Sequence, residues 1–563
     1  MRRWNGWGDA AVRDEVPVGG RAALERVLGE GTAPRDANLR DTVACIPASR
    51  LPAHPLAVSD PETRLRHSHG QSFPDWVALR TGRVRVPDAV AAPATAAQVR
   101  DLLAWGGAQG ARIIPWGGGT SVVGGVTPSA DPGAPVLTIS LERMAGLRTL
   151  DDPSLLATFG AGTAGPDVEA ALRARGLTLG HYPQSWEYST VGGWVAARSS
   201  GQESMGFGRI EALFAGGHLE APAGALEMPP HPASAAGPDL RQVVLGSEGR
   251  LGILTDAILR ATPVPEAESA VALFVPDWER AIGLARALGR ARLPLSMVRA
   301  STPAETWTTL ALAGHERTMR YLRAYLRLRG AGPGRCMVLL GVATRRSVAA
   351  IALREAKAIA REFGAVEAPT VGARWRASRF APPYLRNALW EAGYGVDTLE
   401  TAVPWSSVEA IAADMAPTLR RGLQADGENV HAFTHLSHVY PTGSSLYTTY
   451  IFRLAADPDE TLDRWRRLKT AASEAVVRHG GTISHQHGVG TDHAPYLSAE
   501  KGALGMAAIR DLARRFDPAE IMHPGVLFDV DGIKGTAEPS AGAHAEPSAG
   551  AHAEPSASEP LAE

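Results

Sequence analysis

The segment Pro115-Trp116-Gly117-Gly118-Gly119-Thr120-Ser121 directly follows a short apolar run, Ala111 to Ile114. Three successive glycines can adopt positive φ and turn several backbone N–H groups into one concavity, where an anion can sit. Thr120 and Ser121 add hydroxyl donors. The spacing is neither the G-x-G-x-x-G of a dinucleotide fold nor the Gly-Lys-Ser/Thr of a Walker loop. Taken alone, this first glycine segment (residues 115–121) fits a nucleotide site and a tight turn equally well.

Two further glycine segments follow in the same part of the chain. The second (residues 184–193) reads Gln184-Ser185-Trp186-Glu187-Tyr188-Ser189-Thr190-Val191-Gly192-Gly193 and precedes a predicted short helix, whose N-terminus favours anions. The third (residues 246–254) reads Gly246-Ser247-Glu248-Gly249-Arg250-Leu251-Gly252-Ile253-Leu254 and runs into a predicted strand. Either segment alone is typical of an ordinary turn. All three, in this order, form a specific pattern.

The alternation of predicted strands, glycine loops and helices around these segments indicates an α+β architecture. From about 84 to 265, short β-branched runs alternate with glycine loops and short helices. Beyond 269 the predicted helices lengthen, over 278–288 and 348–363, and the apolar runs 336–343 and 401–404 predict strands of a second α+β domain. A strand, a long helix over 458–480, the segment 482–490 and a closing helix are predicted to complete the fold.

These features divide the chain into four predicted parts. An N-terminal helical and loop segment covers 1–80, the domain with the three glycine segments 81–265, and a second α+β domain 266–532. From 533 to 563 an eight-residue repeat, Ala537-Glu538-Pro539-Ser540-Ala541-Gly542-Ala543-His544, carries no large apolar side chain. Such a sequence cannot bury enough surface to offset its chain entropy, which predicts a disordered tail.

Composition narrows the functional classes. The 563 residues contain 57 Lys+Arg against 59 Asp+Glu, so no basic excess indicates nucleic-acid binding. An anionic ligand must therefore be held locally. The only cysteines, Cys45 and Cys336, provide neither a disulfide framework nor thiolate metal spacing, which fits a cytoplasmic location. The longest apolar runs are strand-sized and predict no membrane span. Peripheral membrane contact and a homodimer stay open.

The chain resembles flavoproteins of the vanillyl-alcohol-oxidase/p-cresol-methylhydroxylase class, and within it the alkyldihydroxyacetonephosphate synthase family. The resemblance runs from Trp4-Asn5-Gly6-Trp7-Gly8 through the three glycine segments and Thr262-Pro263-Val264-Pro265, then Glu400-Thr401-Ala402-Val403-Pro404-Trp405, Ser484-His485-Gln486-His487-Gly488-Val489-Gly490 and Asp517-Pro518. It implies an α+β fold, in which a two-subdomain FAD-binding domain of the p-cresol-methylhydroxylase type, over 81–265, joins an α+β cap, or substrate and C-terminal FAD-oxidase, domain over 266–532.

The same resemblance implies FAD as the cofactor. No histidine lies in or beside the first glycine segment, where some relatives attach flavin covalently, so non-covalent FAD is expected. The implied FAD-binding residues are Pro115, Trp116, Gly117, Gly118, Gly119, Thr120, Ser121, Gln184, Ser185, Ser189, Thr190, Gly192, Gly193, Arg198, Ser199, Ser200, Glu248, Gly249, Gly252, Ile253 and Leu254.

The histidine segment (residues 484–490) carries candidate acid/base groups. Alternation along an extended chain predicts His485 and His487 on one side and Gln486 on the other. A histidine near flavin can exchange a proton near neutral pH, whereas a structural loop would satisfy its histidines with backbone carbonyls. The synthase-like family carries three consecutive histidines here. The middle position is Gln486 in this chain, and glutamine cannot exchange protons.

Three further catalytic candidates come from the resemblance. Tyr447 matches the position of the family's catalytic tyrosine acid/base, although an interior strand tyrosine is the alternative. Arg386 and Arg299 resemble family arginines that act in substrate binding or activity. A guanidinium fork suits a phosphate or a carboxylate.

A metal centre is not expected. Related FAD-linked D-2-hydroxyacid dehydrogenases hold a divalent metal with two histidines and a glutamate, and the matching positions here are His438, Tyr447 and Gln486. His431, His435 and His438 keep a regular spacing, but no carboxylate is clearly placed to complete a site. The sequence therefore predicts no catalytic metal.

Three functional hypotheses follow. The resemblance implies acyl-for-alkyl exchange on a dihydroxyacetone phosphate unit, in ether-lipid synthesis and without net redox change. The alternative is an FAD-linked oxidoreductase acting on a hydroxy acid or a glycerol-phosphate-like alcohol, with His487 or Tyr447 taking the hydroxyl proton. A non-catalytic FAD-binding subunit is the third, against which the acid/base candidates argue. Tyr447 and Arg386 favour the exchange, and Gln486 counts against it.

Overall fold

The structure, a computed structural model, describes residues 1–13, 15–129, 133–312 and 316–528. The predicted tail, 533–563, lies outside the described residues. The strands, in chain order, are β1 (Ala57–Val58), β2 (Ala89–Ala91), β3 (Arg112–Trp116), β4 (Val136–Ser140), β5 (Leu147–Asp151), β6 (Leu156–Gly160), β7 (Leu177–Thr178), β8 (Phe214–Ala221), β9 (Gly224–Met228), β10 (Ile253–Arg260), β11 (Thr262–Pro263), β12 (Ala267–Val275), β13 (Met297–Ser301), β14 (Cys336–Thr344), β15 (Val366–Glu367), β16 (Tyr394–Pro404), β17 (Val430–Val439) and β18 (Gly443–Arg453).

The helices connect and cover these strands. They are α1 (Val18–Leu28), α2 (Leu39–Ala44), α3 (Pro61–Arg66), α4 (Phe73–Thr81), α5 (Ala96–Ala108), α6 (Gly165–Arg173), α7 (Val191–Ala197), α8 (Ser204–Phe207), α9 (Ile210–Leu213), α10 (Arg241–Val244), α11 (Trp278–Arg290), α12 (Pro303–Leu312), α13 (Glu316–Leu328), α14 (Arg346–Glu362), α15 (Pro369–Ser378), α16 (Pro382–Glu391), α17 (Trp405–Arg421), α18 (Pro458–Arg478) and α19 (Leu497–Phe516). Within the described part of the chain, none of them combines the length and the apolar character that crossing a bilayer requires.

Two sheets build the part of the chain that carries the glycine segments. A four-stranded sheet has the order β1-β2-β4-β3, and its β2–β4 and β4–β3 pairs are parallel. A five-stranded antiparallel sheet has the order β5-β6-β10-β8-β9. Each sheet has its own buried core. The two-subdomain architecture predicted for this region is confirmed.

The cap is an antiparallel seven-stranded sheet with the order β15-β12-β14-β13-β17-β18-β16. Alternate residues of its strands face opposite sides, as period-two geometry requires. Val338 and Leu340 pack in the core with helices α11, α14, α17 and α18, whereas Met337 and Leu339 pack with α12 and α13. The strands and helices predicted in this region are present, and the run 401–404 is the end of the longer strand β16.

Both ends of the described chain return to the middle of the molecule. Met522 forms a β-bridge with Ile113 at the strand that leads into the first glycine segment. Near the other end, the buried Trp7 is held by Asn387 of α16: the Asn387 amide donates to the Trp7 carbonyl at 3.0 Å, and the Trp7 N–H donates to the Asn387 oxygen at 3.1 Å. The N-terminal segment therefore anchors the helix that carries Arg386.

Replacing Asn387 by alanine tests this anchor. The change leaves one buried backbone donor and one buried acceptor of Trp7 unpaired, which costs about 1–3 kcal/mol. We expect a lower midpoint in urea unfolding. The matched change at the exposed Asn429 should stay within about 0.5 kcal/mol of the parent. Equal stability of the two variants would contradict the anchoring role.

Candidate functional site

The first and second glycine segments pack directly against each other at the carboxyl end of β3. A side-chain carbon added at Gly118 would lie 1.8 Å from the carbonyl oxygen of Tyr188, and one added at Gly117 would lie 2.3 Å from Thr190 Oγ1. Gly119 has φ +60°, in the left-handed region that favours glycine. Only glycines allow this close approach of two backbones, and the approach forms the concavity predicted from the sequence.

A cavity of about 890 Å³ opens beside this contact and is lined by all three glycine segments. Every predicted FAD-binding residue except Arg198 lies on its wall. Arg198 lies off this wall: the residue follows the last turn of α7 with φ +54°, and its Nη2 donates to Gln242 Oε1 at 2.8 Å. Backbone N–H groups, serine and threonine hydroxyls and the glycine cradle at one end of the cavity fit a dinucleotide.

Glu248 connects the third glycine segment to the histidine segment. Its carboxylate accepts hydrogen bonds from the backbone N–H groups of Val489 at 2.6 Å and Gly490 at 2.8 Å. Burial raises the pKa of the Glu248 carboxyl to about 7, and the two N–H donors only partly oppose that rise. The cofactor loop and the candidate acid/base groups are therefore positioned by one hydrogen-bonded unit.

The register of the seven-stranded sheet places three polar groups side by side. Tyr447 on β18 pairs with Glu400 on β16 and with His435 on β17, so the three side chains share one face of the sheet. The Tyr447 ring stacks on His435 with centroids 5.0 Å apart. It also meets the His487 ring edge-on at 5.5 Å. Tyr447 is therefore contacted both by its strand neighbour His435 and by His487 of the histidine segment.

Tyr447 and His487 have complementary protonation states. Burial raises the pKa of the Tyr447 phenol above its usual range, so the phenol keeps its proton at neutral pH. Burial lowers the pKa of His487, so its imidazole is neutral and offers a lone pair. Both side chains line the cavity. The pair therefore supplies one proton donor and one proton acceptor at the same place.

The charge of Arg299 is already balanced inside the protein. Its Nη2 lies 2.6 Å from Glu305 Oε1, and His435 Nδ1 lies 2.9 Å from Glu305 Oε2. Burial alone would raise the pKa of Glu305, but His435 and Arg299 together lower it to about 2. Arg299 lines the cavity as predicted, and it does so as half of a buried ion pair.

Arg386 retains its charge for a ligand. It donates to the Gln71 carbonyl at 2.5 Å and lies 4.3 Å from the centroid of the Trp76 ring. No carboxylate in the described part of the chain forms an ion pair with it, and its Nη2 finds no hydrogen-bond partner there. Burial lowers its pKa to about 10, so the guanidinium stays charged at neutral pH. Arg386 is therefore the better anion-binding group of the two.

Glu400 is the centre of a buried polar cluster behind the cavity wall. Its carboxylate accepts hydrogen bonds from the Ser437 hydroxyl and from Gln486 Nε2, the latter at 2.5 Å. The Nδ1 atoms of His438 and His485 each lie 3.3 Å from Glu400 Oε1. Burial would raise the pKa of Glu400, but His485 and His438 hold it well below its usual range. Glu400 is therefore an ionised acceptor.

Neighbouring donors fix the proton on His485. Arg209 Nη1 lies 2.6 Å and the Tyr440 hydroxyl 2.7 Å from His485 Nε2. Arginine can only donate, so Nε2 is an unprotonated acceptor and Nδ1 of the neutral ring carries the proton. Burial lowers the pKa of His485 to about 4, which keeps the ring neutral. The protonated Nδ1 lies 3.3 Å from Glu400 Oε1, close enough for electrostatic attraction but without hydrogen-bond geometry.

The same cluster has the composition of a metal site. Ligand atoms of Glu400, His438 and His485 lie within 4.8 Å of one another, so the structure places beside His438 a carboxylate that the sequence did not place. A cation there would need the lone pair of His485 Nδ1. The tautomer imposed by Arg209 places a proton on that atom, which argues for a hydrogen-bonded cluster.

The histidine segment differs from its prediction. The chain bends at residues 485–487 instead of extending, and His485 and Gln486 both reach Glu400 while His487 turns to Tyr447. The predicted alternation is therefore wrong. His485, predicted to be catalytic, does not line the cavity, because Arg209 and Tyr440 hold it behind the wall.

Two functional residues were missed by the sequence reasoning. The sequence analysis named Glu400 only as the first residue of the family motif 400–405 and gave it no role. An acidic residue at the start of an apolar strand could have indicated a buried polar contact. Glu305 follows Thr302 by three residues and looks like an ordinary helix cap. Its pairing with Arg299 and His435 depends on the fold and leaves no local signal.

Comparison with known proteins agrees with this geometry. The FAD binding domain model matches residues 87–226, and the model of the C-terminal domain of FAD linked oxidases matches residues 264–527. The alkyldihydroxyacetonephosphate synthase of Dictyostelium discoideum is 29% identical over 496 residues, which are 85% of this chain and 80% of that protein. The glycolate oxidase subunit GlcD of Bacillus subtilis is 25% identical over 463 residues, 80% of this chain and 90% of that protein.

A solved structure of an alkyldihydroxyacetonephosphate synthase superposes with a TM-score of 0.78 at 24% identity, covering 93% of this chain and 98% of that one. At this identity the likeness concerns the fold. Together with the two family models, it confirms the predicted fold class and FAD as the cofactor.

Replacing Gly118 by alanine tests the cradle. The added carbon would collide with the Tyr188 carbonyl, and forced repacking typically costs about 1–3 kcal/mol. We expect FAD affinity to fall by about one to two orders of magnitude, measured by reconstitution with flavin. Gly332→Ala is the control, because no heavy atom of the described residues lies within 4 Å of the added carbon. A Gly118→Ala protein that keeps full affinity would show that the cradle is elsewhere.

Proposed function

The chain is an FAD-dependent enzyme built from the two domains of the FAD linked oxidases, and from this premise we propose that it exchanges an acyl group for an alkyl group on a dihydroxyacetone phosphate unit. The proposal places the enzyme in ether-lipid synthesis. One observation carries it: part of the cavity lining consists of apolar side chains from α12, α13 and the cap sheet, and we call this part the apolar arm. It includes Leu310, Leu312, Met319, Met337 and Phe433.

The apolar arm distinguishes the substrate classes. A small hydroxy acid needs a compact polar site, whereas a long alkyl chain gains about 0.8 kcal/mol for each CH₂ group that it buries. Arg386 offers an unpaired charge for a phosphate on the same wall, and Arg299 remains tied to Glu305. The cavity therefore suits a substrate with one anionic end and one long apolar chain.

Two residues of the chain, His487 and Tyr447, account for the proton transfers that the exchange requires. The bond between the carbon skeleton and the acyl oxygen breaks, a bond to the alcohol oxygen forms, and the alcohol's proton ends on the departing carboxylic acid. His487 accepts the alcohol proton, and Tyr447 donates a proton to the departing oxygen. Bound FAD supplies a ring system that can take up and return an electron pair from the reacting carbon.

A second function is oxidation of a hydroxy acid or a glycerol-phosphate-like alcohol. The neutral His487 favours it, because the ring could accept the hydroxyl proton as hydride leaves the carbon. The relatives include both classes of enzyme. The apolar arm is unexplained by this function, so the exchange is the better proposal.

The two functions are separated by anaerobic mixing of the FAD-loaded enzyme with candidate substrates. We expect acylated dihydroxyacetone phosphate and a long-chain alcohol to give ether product and free fatty acid in equal amounts, with the flavin oxidised at the end. Tyr447→Phe should lower the exchange rate about 10²–10⁴-fold, whereas the exposed Tyr321→Phe should not change it. Flavin bleaching by a hydroxy acid or glycerol phosphate, without exchange, would establish the oxidoreductase instead.

Peripheral membrane contact is a further part of the proposal. Helix α13 lies next to the apolar arm, to which Met319 contributes, and its outer surface mixes apolar and cationic side chains that suit an anionic lipid surface. The exposed members are Arg320, Tyr321, Arg323, Tyr325, Arg327 and Leu328. Free cysteines at Cys45 and Cys336 support a cytoplasmic location.

Sedimentation with vesicles that contain anionic phospholipid tests the membrane contact. Leu328, 86% exposed on α13, should lose apolar contact and meet charge repulsion when replaced by glutamate, so bound protein should decrease severalfold. Leu504→Glu on α19 is the matched control at 85% exposure. Equal binding by the two variants, or none by the parent, would overturn this part of the proposal.

A further inference from the structure

Gln486 stands at the boundary between the Glu400 cluster and the cavity. Its side chain is half-buried, and it lines the cavity together with Tyr447 and His487. On its inner side, Nε2 lies 2.5 Å from Glu400 Oε2. The two ends of the amide therefore face different environments.

The ionised carboxylate determines the orientation of this amide. Glu400 can only accept hydrogen bonds, since His485 and His438 hold its pKa well below the usual range. The reversed amide would place a carbonyl oxygen against a carboxylate oxygen at 2.5 Å, with no proton between them. The NH₂ end is thus bound to Glu400, and the carbonyl oxygen Oε1 is directed away from it.

Gln486 Oε1 is left without a protein donor. Within residues 1–13, 15–129, 133–312 and 316–528, no N–H or O–H group donates to it, although Tyr447 and His487 lie on the same wall. Because the ionised Glu400 lies directly behind the Gln486 amide, the Oε1 atom attracts a neutral O–H group and repels an anion. Such an acceptor beside a proton donor and a proton acceptor is suited to hold a reacting hydroxyl.

We propose that Gln486 is a specificity-determining residue, whose Oε1 accepts a hydrogen bond from the hydroxyl of the alcohol substrate as it binds. The same proton passes to His487 when the exchange begins. This inference rests on the proposed function, because it identifies the binding group for the incoming alcohol of the exchange. The ionised Glu400 behind the amide disfavours a carboxylate at the same place. The enzyme thereby prefers an alcohol to a fatty acid of equal chain length and to an ether that lacks the O–H donor.

Glutamine gives this preference a distinctive pH behaviour. A neutral histidine at the same position could donate one N–H to Glu400 and present its other nitrogen as an acceptor. Protonation would remove that lone pair, because both nitrogens of an imidazolium donate. An amide does not titrate, so Gln486 itself adds no pH dependence to the alcohol preference of the parent enzyme. Any change near pH 7 would come from Glu248, which binds the same segment.

Binding of paired ligands to the FAD-loaded enzyme tests the proposal. The probes are a long-chain primary alcohol and its methyl ether, with affinities read from the flavin absorbance. In the parent we expect the alcohol to bind about 2- to 12-fold more tightly, the ratio that a neutral hydrogen bond produces. Gln486→Leu should remove the difference, whereas Gln424→Leu, on the exposed surface, should keep it.

Gln486→His separates direct binding from a structural effect. This variant should keep the preference while its imidazole is neutral and lose it as the pH falls and the imidazole is protonated, while its FAD content stays unchanged. A preference that survives in Gln486→Leu would overturn the inference and leave the proposed function intact. Equal binding of alcohol and ether by the parent would likewise overturn the inference and leave the proposed function intact. A parent enzyme that binds neither ligand would overturn both.

Discussion

The buried carboxylate of Glu400 is the constraint on which the site depends. Burying a carboxylate costs on the order of several kcal/mol unless donors replace its water. Here the hydrogen-bond donors are Ser437 on β17, two strands away in the sheet, and Gln486 of the histidine segment. Ionised Glu400 therefore fixes the conformation of residues 485–487, and Glu248 fixes the next residues of the same segment against the cofactor loop. The two carboxylates link cap, histidine segment and FAD-binding region into one site.

In this arrangement each polar group of the site has a different role. His485 serves as a support, because Arg209 determines its tautomer and holds it behind the wall. His487 and Tyr447 both lie on the cavity wall, where His487 can accept a proton and Tyr447 can donate one. Among the described residues the charge of Arg386 is unpaired, whereas Arg299 forms an ion pair with Glu305. These roles suit a reaction that moves one proton between two oxygen atoms on a substrate with an anionic end. The apolar arm adds the space for a long chain.

The sequence was informative where structure depends on local geometry. The three glycine segments predicted the cradle because they occur together in one order, and the apolar runs predicted the strands over 336–343 and 401–404. Long-range contacts were not predictable. The register that sets Glu400 beside Tyr447 depends on strands nearly fifty residues apart, and the tautomer of His485 depends on an arginine from another domain. The alternation rule failed at 485–487 because side-chain contacts to Glu400 bend the chain there.

The central claim is that hydrogen-bond donors of the protein, not a metal ion, hold the ionised Glu400 carboxylate. It is tested most directly by the metal stoichiometry of the FAD-loaded protein, purified without chelators and analysed beside Glu400→Gln. The account predicts far less than one equivalent of divalent metal per FAD in both proteins. One equivalent in the parent that disappears in Glu400→Gln would contradict it, because a cation would then occupy the place that the His485 proton fills in this structure.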